Sequence, residues 1–307
     1  MPQKVILITD PGIDGACAAA LAMYDPDLEV LALAATPGNV TADEATRNVH
    51  ILVEQMDPPR WPRVGEAPAV TYDVDGTKLH GPGGLGGVEF PCARLHHPHS
   101  SEKLITDLVR QHPREVTILL LGPATVMARA LDRDPELPGL IQRIIMVGGV
   151  QSEPGDVSAV ADFHFYCDPA AARQVLHCGA TISLLPLDAT RKVMFSPKEL
   201  LQLPVADSPA YQFLRRIIPH GLGASASLYG IEGLYLNDVL AVAVASRPGS
   251  VASHPAVVDV ETRGELTRGM SVFDSRWGIT TRPNVDVVTT VDVQAVRGYI
   301  LKTLQRE

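Results

Sequence analysis

The sequence predicts an α/β fold: a doubly wound, mostly parallel sheet with helices on both faces and a small β-rich C-terminal portion. Three features predict it. Short runs of apolar residues alternate with helix-length segments from the N-terminus onward. The runs are mostly apolar rather than alternating apolar with polar, as in strands covered on both faces. Past Pro255 the character shifts to short β-rich pieces.

Element by element, Lys4–Thr9 (KVILIT) reads as a buried strand and the alanine-rich Ala16–Tyr24 as a helix. Glu29–Ala35 is a second strand, and Thr41-x-x-Glu44 is a capping box opening a helix to about Met56. Ser101–Gln111 (helix), Glu115–Leu121 (strand) and Pro123–Leu131 (helix with proline in its first turn) continue the alternation. Arg143–Val147 and Thr181–Leu185 are further strands around the helix Pro169–His177. Ser196 to Glu199 opens another capped helix, and Asn237–Ser246 is a helix beginning Asn-Asp. Ala256–Thr262 and Val285–Val291 are the late strands, closed by a helix near Val293–Leu304. This spacing means βαβ units with right-handed crossovers. No linker or repeat divides the chain, so residues 1–307 read as one domain, with the Gly/Pro-rich Asp73–Phe90 as its mobile loop.

Composition narrows the function. The chain has 46% hydrophobic and 20% charged residues and a net charge of −9, which suits a soluble globular protein and disfavours a nucleic-acid partner. No run reaches the length of a membrane span or a signal-peptide core. Cys17, Cys92, Cys167 and Cys178 show no CxxC spacing and read as reduced thiols of a cytoplasmic protein.

Ligands of doubly wound sheets bind beyond the carboxyl ends of the strands. Those positions carry Asp10-Pro11-Gly12-Ile13-Asp14, Thr36-Pro37-Gly38-Asn39, Gly122-Pro123-Ala124-Thr125, Gly148-Gly149 and Leu187-Asp188. Carboxylates, an amide and glycines on one rim suit a hard cation and a polyhydroxylated small molecule. Taken singly, Asp10, Asp14 and Asp238 also suit helix capping, and Asn39 a turn. The run His96, His97 and His99, broken by proline, reads as solvent-exposed. Neither a GxxxxGK[ST] loop nor a GxGxxG after the first strand is present, against phosphate-ester and dinucleotide chemistry.

Together the motifs resemble the inosine-uridine-preferring nucleoside hydrolases. They are ITDPGID (8–14), TPGNV (36–40), HGPGGLG (80–86), GPAT (122–125), MVGG (146–149), ADFHFYCDPAAA (161–172), PLDAT (186–190), NDVLAVA (237–243) and VETRGELTRGM (260–270). The resemblance implies hydrolysis of the N-glycosidic bond of a ribonucleoside to ribose and free base, in purine or pyrimidine salvage, by a cytoplasmic homodimer or homotetramer using calcium. Asp10 matches a metal ligand that also takes the proton of the attacking water. Thr125, through its carbonyl, and Asp238 match further metal ligands. Asp14 and Asn39 match residues that hold the ribose hydroxyls, and Asp162 and His164 stand where the family has glutamate and asparagine, also ribose contacts. The chemistry suits these residues: positive charge builds on the ribose as the bond breaks, and anionic groups stabilise it.

The chain departs from the family pattern D-x-D-P-G-x-D-D at Ile8 and at Gly15, where a metal ligand is lost. Asp14 is the carboxylate placed to swing in, with water completing the six to eight oxygens calcium takes. Asn237 replaces a histidine proton donor, and an amide cannot do that work; His164 or His80 stands in as the candidate. The alternative reading is a weakened homologue that binds ribosides without efficient turnover.

Overall fold

The computed structural model describes residues 1–92, 99–201, 208–276 and 280–304. Its strands are β1 (Gln3–Thr9), β2 (Leu28–Ala35), β3 (Arg63–Glu66), β4 (His99–Ser100), β5 (Val116–Leu121), β6 (Arg143–Val147), β7 (Ile182–Leu185), β8 (Met194–Phe195), β9 (Leu234–Tyr235), β10 (Val251–Ala256), β11 (Val258–Val260), β12 (Ser271–Phe273) and β13 (Val285–Val291). A nine-stranded sheet runs β10-β13-β7-β6-β5-β1-β2-β3-β4, and the pairs β8-β9 and β11-β12 stand apart from it. Every ladder in the large sheet is parallel except β10-β13.

The alternation of β1 shows why the fold needs two helical layers. Val5 and Leu7 join one core with the helices Ile13–Tyr24, Ala42–Met56, Pro209–Tyr229 and Asn237–Ser246. Ile6 and Ile8 face the opposite core, formed with the helices Ser101–Gln111, Thr125–Arg133 and Pro169–Leu176. β1 is buried on both faces, and Ile8, fully buried, continues the second core.

From β1 the chain winds outward through β2, β3 and β4, then returns to β5 on the other side of β1 and winds away through β6 and β7. The strand order therefore reverses between β1 and β5, the switch point beyond whose strand ends open α/β sheets bind their ligands.

Several expectations shift. The helix expected from Pro123 begins at Thr125, leaving Gly122 and Pro123 as loop beside Asp10. The expected strand Ala256–Thr262 is two pieces, because the chain leaves the large sheet after Ala256 and pairs β11 with β12. Within the late β-rich portion, β13 lies parallel to β7 and extends the main sheet. The Gly/Pro-rich stretch folds into the short helix Thr77–His80 and a turn at Pro82–Gly84. His96 and His97 lie outside the described residues.

Candidate active site

Asp10 follows β1 at the switch point and is 1% exposed. A β-carbon on Gly38 would lie 2.0 Å from Asp10 Oδ2, and one on Gly122 would lie 2.8 Å from Oδ1. Both neighbouring loops thus need glycine to let the carboxylate stand between them. The Asn39 N–H donates to Asp10 Oδ2 at 2.8 Å, and Asn39 Nδ2 donates to the Asp10 carbonyl at 3.0 Å. Asp10 Oδ1 is buried without a hydrogen-bond partner among the described residues. Burial pushes the Asp10 carboxyl up to about 7, against the opposing pull of His164 and the Asn39 N–H.

Asp14 sits in the first turn of the helix after β1 and reaches across to the helix Asn237–Ser246. Its Oδ2 accepts the N–H of Asn237 at 3.0 Å and that of Asp238 at 3.5 Å. That helix has no cap of its own at Leu236, so the capping expected of Asp238 is done by Asp14 from another element. Asp238 is buried, and its carboxyl is held well above the ordinary range by that burial, by the charge of Asp14 and a hydrogen bond with it, and by Asp10. Asn237 Oδ1 and Thr9 Oγ1 are also buried with no hydrogen-bond partner among the described residues.

Gly15 faces this cluster: a β-carbon there would stand 3.0 Å from Thr9 Oγ1 and 3.3 Å from Asp238 Oδ2. The position where the resemblance expects a carboxylate is therefore aimed at Asp238. Among the described residues no group of three or more His, Cys, Asp or Glu side chains is disposed to hold a metal ion. Asp10, Asp14 and Asp238 nevertheless offer carboxylate oxygens, and the orphaned Asp10 Oδ1 is the kind of atom a hard cation satisfies.

The histidines of the site are held in opposite senses. The Ile13 N–H donates to His80 Nδ1 at 3.1 Å, so the His80 proton sits on Nε2. Burial lowers the pKa of the His80 ring, with Asp14 opposing. His164 Nδ1 lies 3.1 Å from the Val147 carbonyl, which can only accept, so this ring carries its proton on Nδ1. Although burial alone would lower it, the charges of Asp10 and Asp162 raise the His164 pKa.

Asp162 is turned into the fold. Its Oδ1 accepts the Gly149 N–H at 2.6 Å and its Oδ2 the His164 N–H at 2.9 Å, capping the helix Phe163–Cys167. Burial raises its carboxyl to about 6. Thr125 donates from Oγ1 to Asp168 Oδ2 at 2.5 Å and meets Tyr72 OH at 2.6 Å. The threonine has one hydroxyl proton, already given to Asp168, so Tyr72 is the donor to Thr125. The loop carrying Tyr72 is tied down again where Arg268, in the 260–270 string, pairs with Asp73 at 2.9 Å.

Asp10, Asp14, Asn39, His80, His164, Asn237 and Asp238 are thus brought together, with Thr125 at the rim beside β5. Tyr72 and the Arg268–Asp73 pair escaped sequence reasoning because nothing local marks a tyrosine in a loop as a partner of Thr125. Asp168 carried a signal, the Asp-Pro start of a helix, where it caps the Ala171 N–H at 3.0 Å.

The model of the inosine-uridine preferring nucleoside hydrolase family matches residues 5–298. The chain belongs to this family. A curated relative, uridine nucleosidase 1 of Arabidopsis thaliana, is 31% identical, covering 99% of this chain and 94% of the relative. The inosine-uridine preferring nucleoside hydrolase of Crithidia fasciculata is 28% identical, covering 100% of this chain and 98% of its own length. Among solved structures, a plant nucleoside hydrolase superposes with a TM-score of 0.92 at 29% identity, covering 100% of both chains. The purine-preferring ribonucleoside hydrolase from Gardnerella vaginalis gives 0.90 at 27%, covering 99% of both. This nucleoside hydrolase keeps the family's parallel sheet and its helical layers along the whole chain.

Proposed function

We propose that this nucleoside hydrolase splits the C1′–N bond of ribonucleosides with water, using Asp10 as the base that takes a proton from the attacking water. The observation that carries the reading is Asp10 itself. It stands at the switch point between glycines, with one oxygen fixed by the Asn39 N–H and the other without a partner among the described residues. A carboxyl raised to about 7 is matched to proton abstraction near neutral pH.

Asp14 and Asn39 flank Asp10 and are assigned to the ribose hydroxyls, with Asp14 also offering negative charge to the ribose as positive charge builds there. Gripping hydroxyls with buried polar groups penalises sugars that lack them. Asp162 supports this wall by fixing the turn at Gly149 and the start of the helix that carries His164. The neutral Nε2–H of His80 is a hydrogen-bond donor for the substrate.

Calcium is the proposed cofactor. Asp10 and Asp238 would hold it, with the Thr125 carbonyl, Asp14 and water completing the oxygen set; when bound, it lowers the pKa of a water and steadies the sugar. The same reading includes a single domain, a cytoplasmic homodimer or homotetramer, and a role in purine or pyrimidine salvage. A second reading, binding of ribosides without efficient turnover, is favoured by Gly15, which stands where the family carries a carboxylate.

The test is ribose release from a panel of purine and pyrimidine ribonucleosides, after chelation and with calcium restored. Calcium-dependent release supports the hydrolase reading and ranks the bases. No release from any riboside, together with no calcium binding by calorimetry, supports the second.

A further inference from the structure

We infer that His164 is the residue that delivers a proton to the departing base. The inference rests on the hydrolase reading and settles which side chain takes over the work that Asn237 cannot do. It is carried by the direction of two hydrogen bonds.

A backbone N–H can only donate. Because the Ile13 N–H points at His80 Nδ1, that nitrogen must keep its lone pair, and the ring holds one proton, on Nε2. Giving that proton away would leave an imidazolate anion inside an acidic site. Gaining a second would break the bond to Ile13. The ring cannot swing aside to avoid this, since Gly12 already packs so closely that a β-carbon there would lie 2.7 Å from His80 Cγ. His80 can polarise a substrate atom but cannot pass a proton to it.

A carbonyl can only accept, so the opposite holds at His164. Its Nδ1–H stays on the Val147 carbonyl whether the ring is neutral or cationic, and protons are gained and lost at Nε2 without disturbing how the ring is held. The groups facing it favour the cation: Asp10, beyond β1; Asp14, on the following helix; Asp162, at the start of its own helix; and Asp156, in the loop after β6. His80 is the opposing group. His220, on the helix Pro209–Tyr229, is no substitute, for its Nε2 is buried beside Gly81 with no hydrogen-bond partner among the described residues.

Water gives one proton to Asp10 and its oxygen bonds to C1′. The C1′–N electron pair leaves with the base, and a base nitrogen takes the Nε2 proton of His164. Asp10 ends protonated and His164 neutral, and exchange with solvent returns both to their starting states. One water is consumed.

The test compares wild type with His164→Asn on inosine, on uridine and on p-nitrophenyl β-D-ribofuranoside, whose leaving group departs as a stable anion. Asparagine is the family's residue here and can still donate to the Val147 carbonyl. The variant is expected to lose on the order of 10²–10⁴-fold in kcat on the nucleosides and to keep its rate on the p-nitrophenyl riboside. The alkaline limb of the nucleoside pH profile should disappear with it. Equal losses on all three substrates would mean that His164 only holds the ribose and would overturn the inference, as would unchanged rates on all three. His164→Gln, tested in parallel, guards against a folding defect peculiar to one variant. Failure of the wild type to cleave even the p-nitrophenyl riboside would count against the hydrolase reading itself, a separate result.

Discussion

Asp14, at the start of the first helix, accepts the backbone N–H of Asn237 at 3.0 Å and so caps a helix that lies 223 residues further along the chain. One carboxylate therefore has a structural task and faces the cluster of Asp10 and Asp238 as well. The tasks separate by substitution. Asp14→Asn keeps an oxygen for the Asn237 N–H and should melt close to wild type, whereas Asp14→Ala should lose about 1 kcal/mol, the worth of a helix cap. Both should lose turnover. A melting curve and a ribose-release assay on the two variants check this, and full activity in Asp14→Asn would remove the charge from the mechanism.

Asp10→Asn should abolish turnover and yet stabilise the chelated protein above neutral pH. The folded Asp10 carboxyl, at about 7, lies above its ordinary 3.8. Stability contributed by such a group is whole below the lower value and is lost as pH rises through the upper one. Wild type should therefore weaken relative to the variant between about pH 4 and 8, by on the order of 4 kcal/mol over that range. Asp162, raised to about 6, adds a slope of the same sign that both proteins share. Melting temperature against pH, with a chelator present, is the measurement; parallel curves would refute it.

Gly15→Asp should tighten calcium binding. The β-carbon needs only a small shift of Thr9 Oγ1, 3.0 Å away, and the new carboxylate would stand beside Asp238. Without calcium the same substitution adds a further negative charge to a buried cluster, so the chelated variant should be less stable than wild type. Calorimetric titration with calcium reads the first effect and thermal melting the second. Unchanged affinity would mean that the site has been rebuilt around another ligand set.

Gly38→Ala should be more damaging than its size suggests. Its β-carbon would fall 2.0 Å from Asp10 Oδ2, so either the loop after β2 or the carboxylate must move. The expected loss is near-complete activity together with about 1–3 kcal/mol of stability, the usual cost of forcing atoms into a filled space. Retained kcat would show that the Asp10 position is not critical.

The sequence by itself determined the architecture and the rim. Short apolar runs such as Lys4–Thr9, each followed by a helix-length segment, read as strands buried on both faces, and their alternation with helices points to a parallel sheet whose strand ends bear Asp10, Asn39 and Thr125. These signals are local, written in periodicity and in the residues that follow each strand. Tertiary structure alone decided how the side chains are used. That Asp14 caps a distant helix, that Asp162 turns inward onto Gly149, and that Tyr72 reaches Thr125 all depend on contacts between segments far apart in sequence. The difference between His80 and His164 is of the same kind. The two residues are chemically identical, and only the partner of Nδ1, a backbone N–H in one case and a carbonyl in the other, separates a fixed donor from a ring that can exchange its proton.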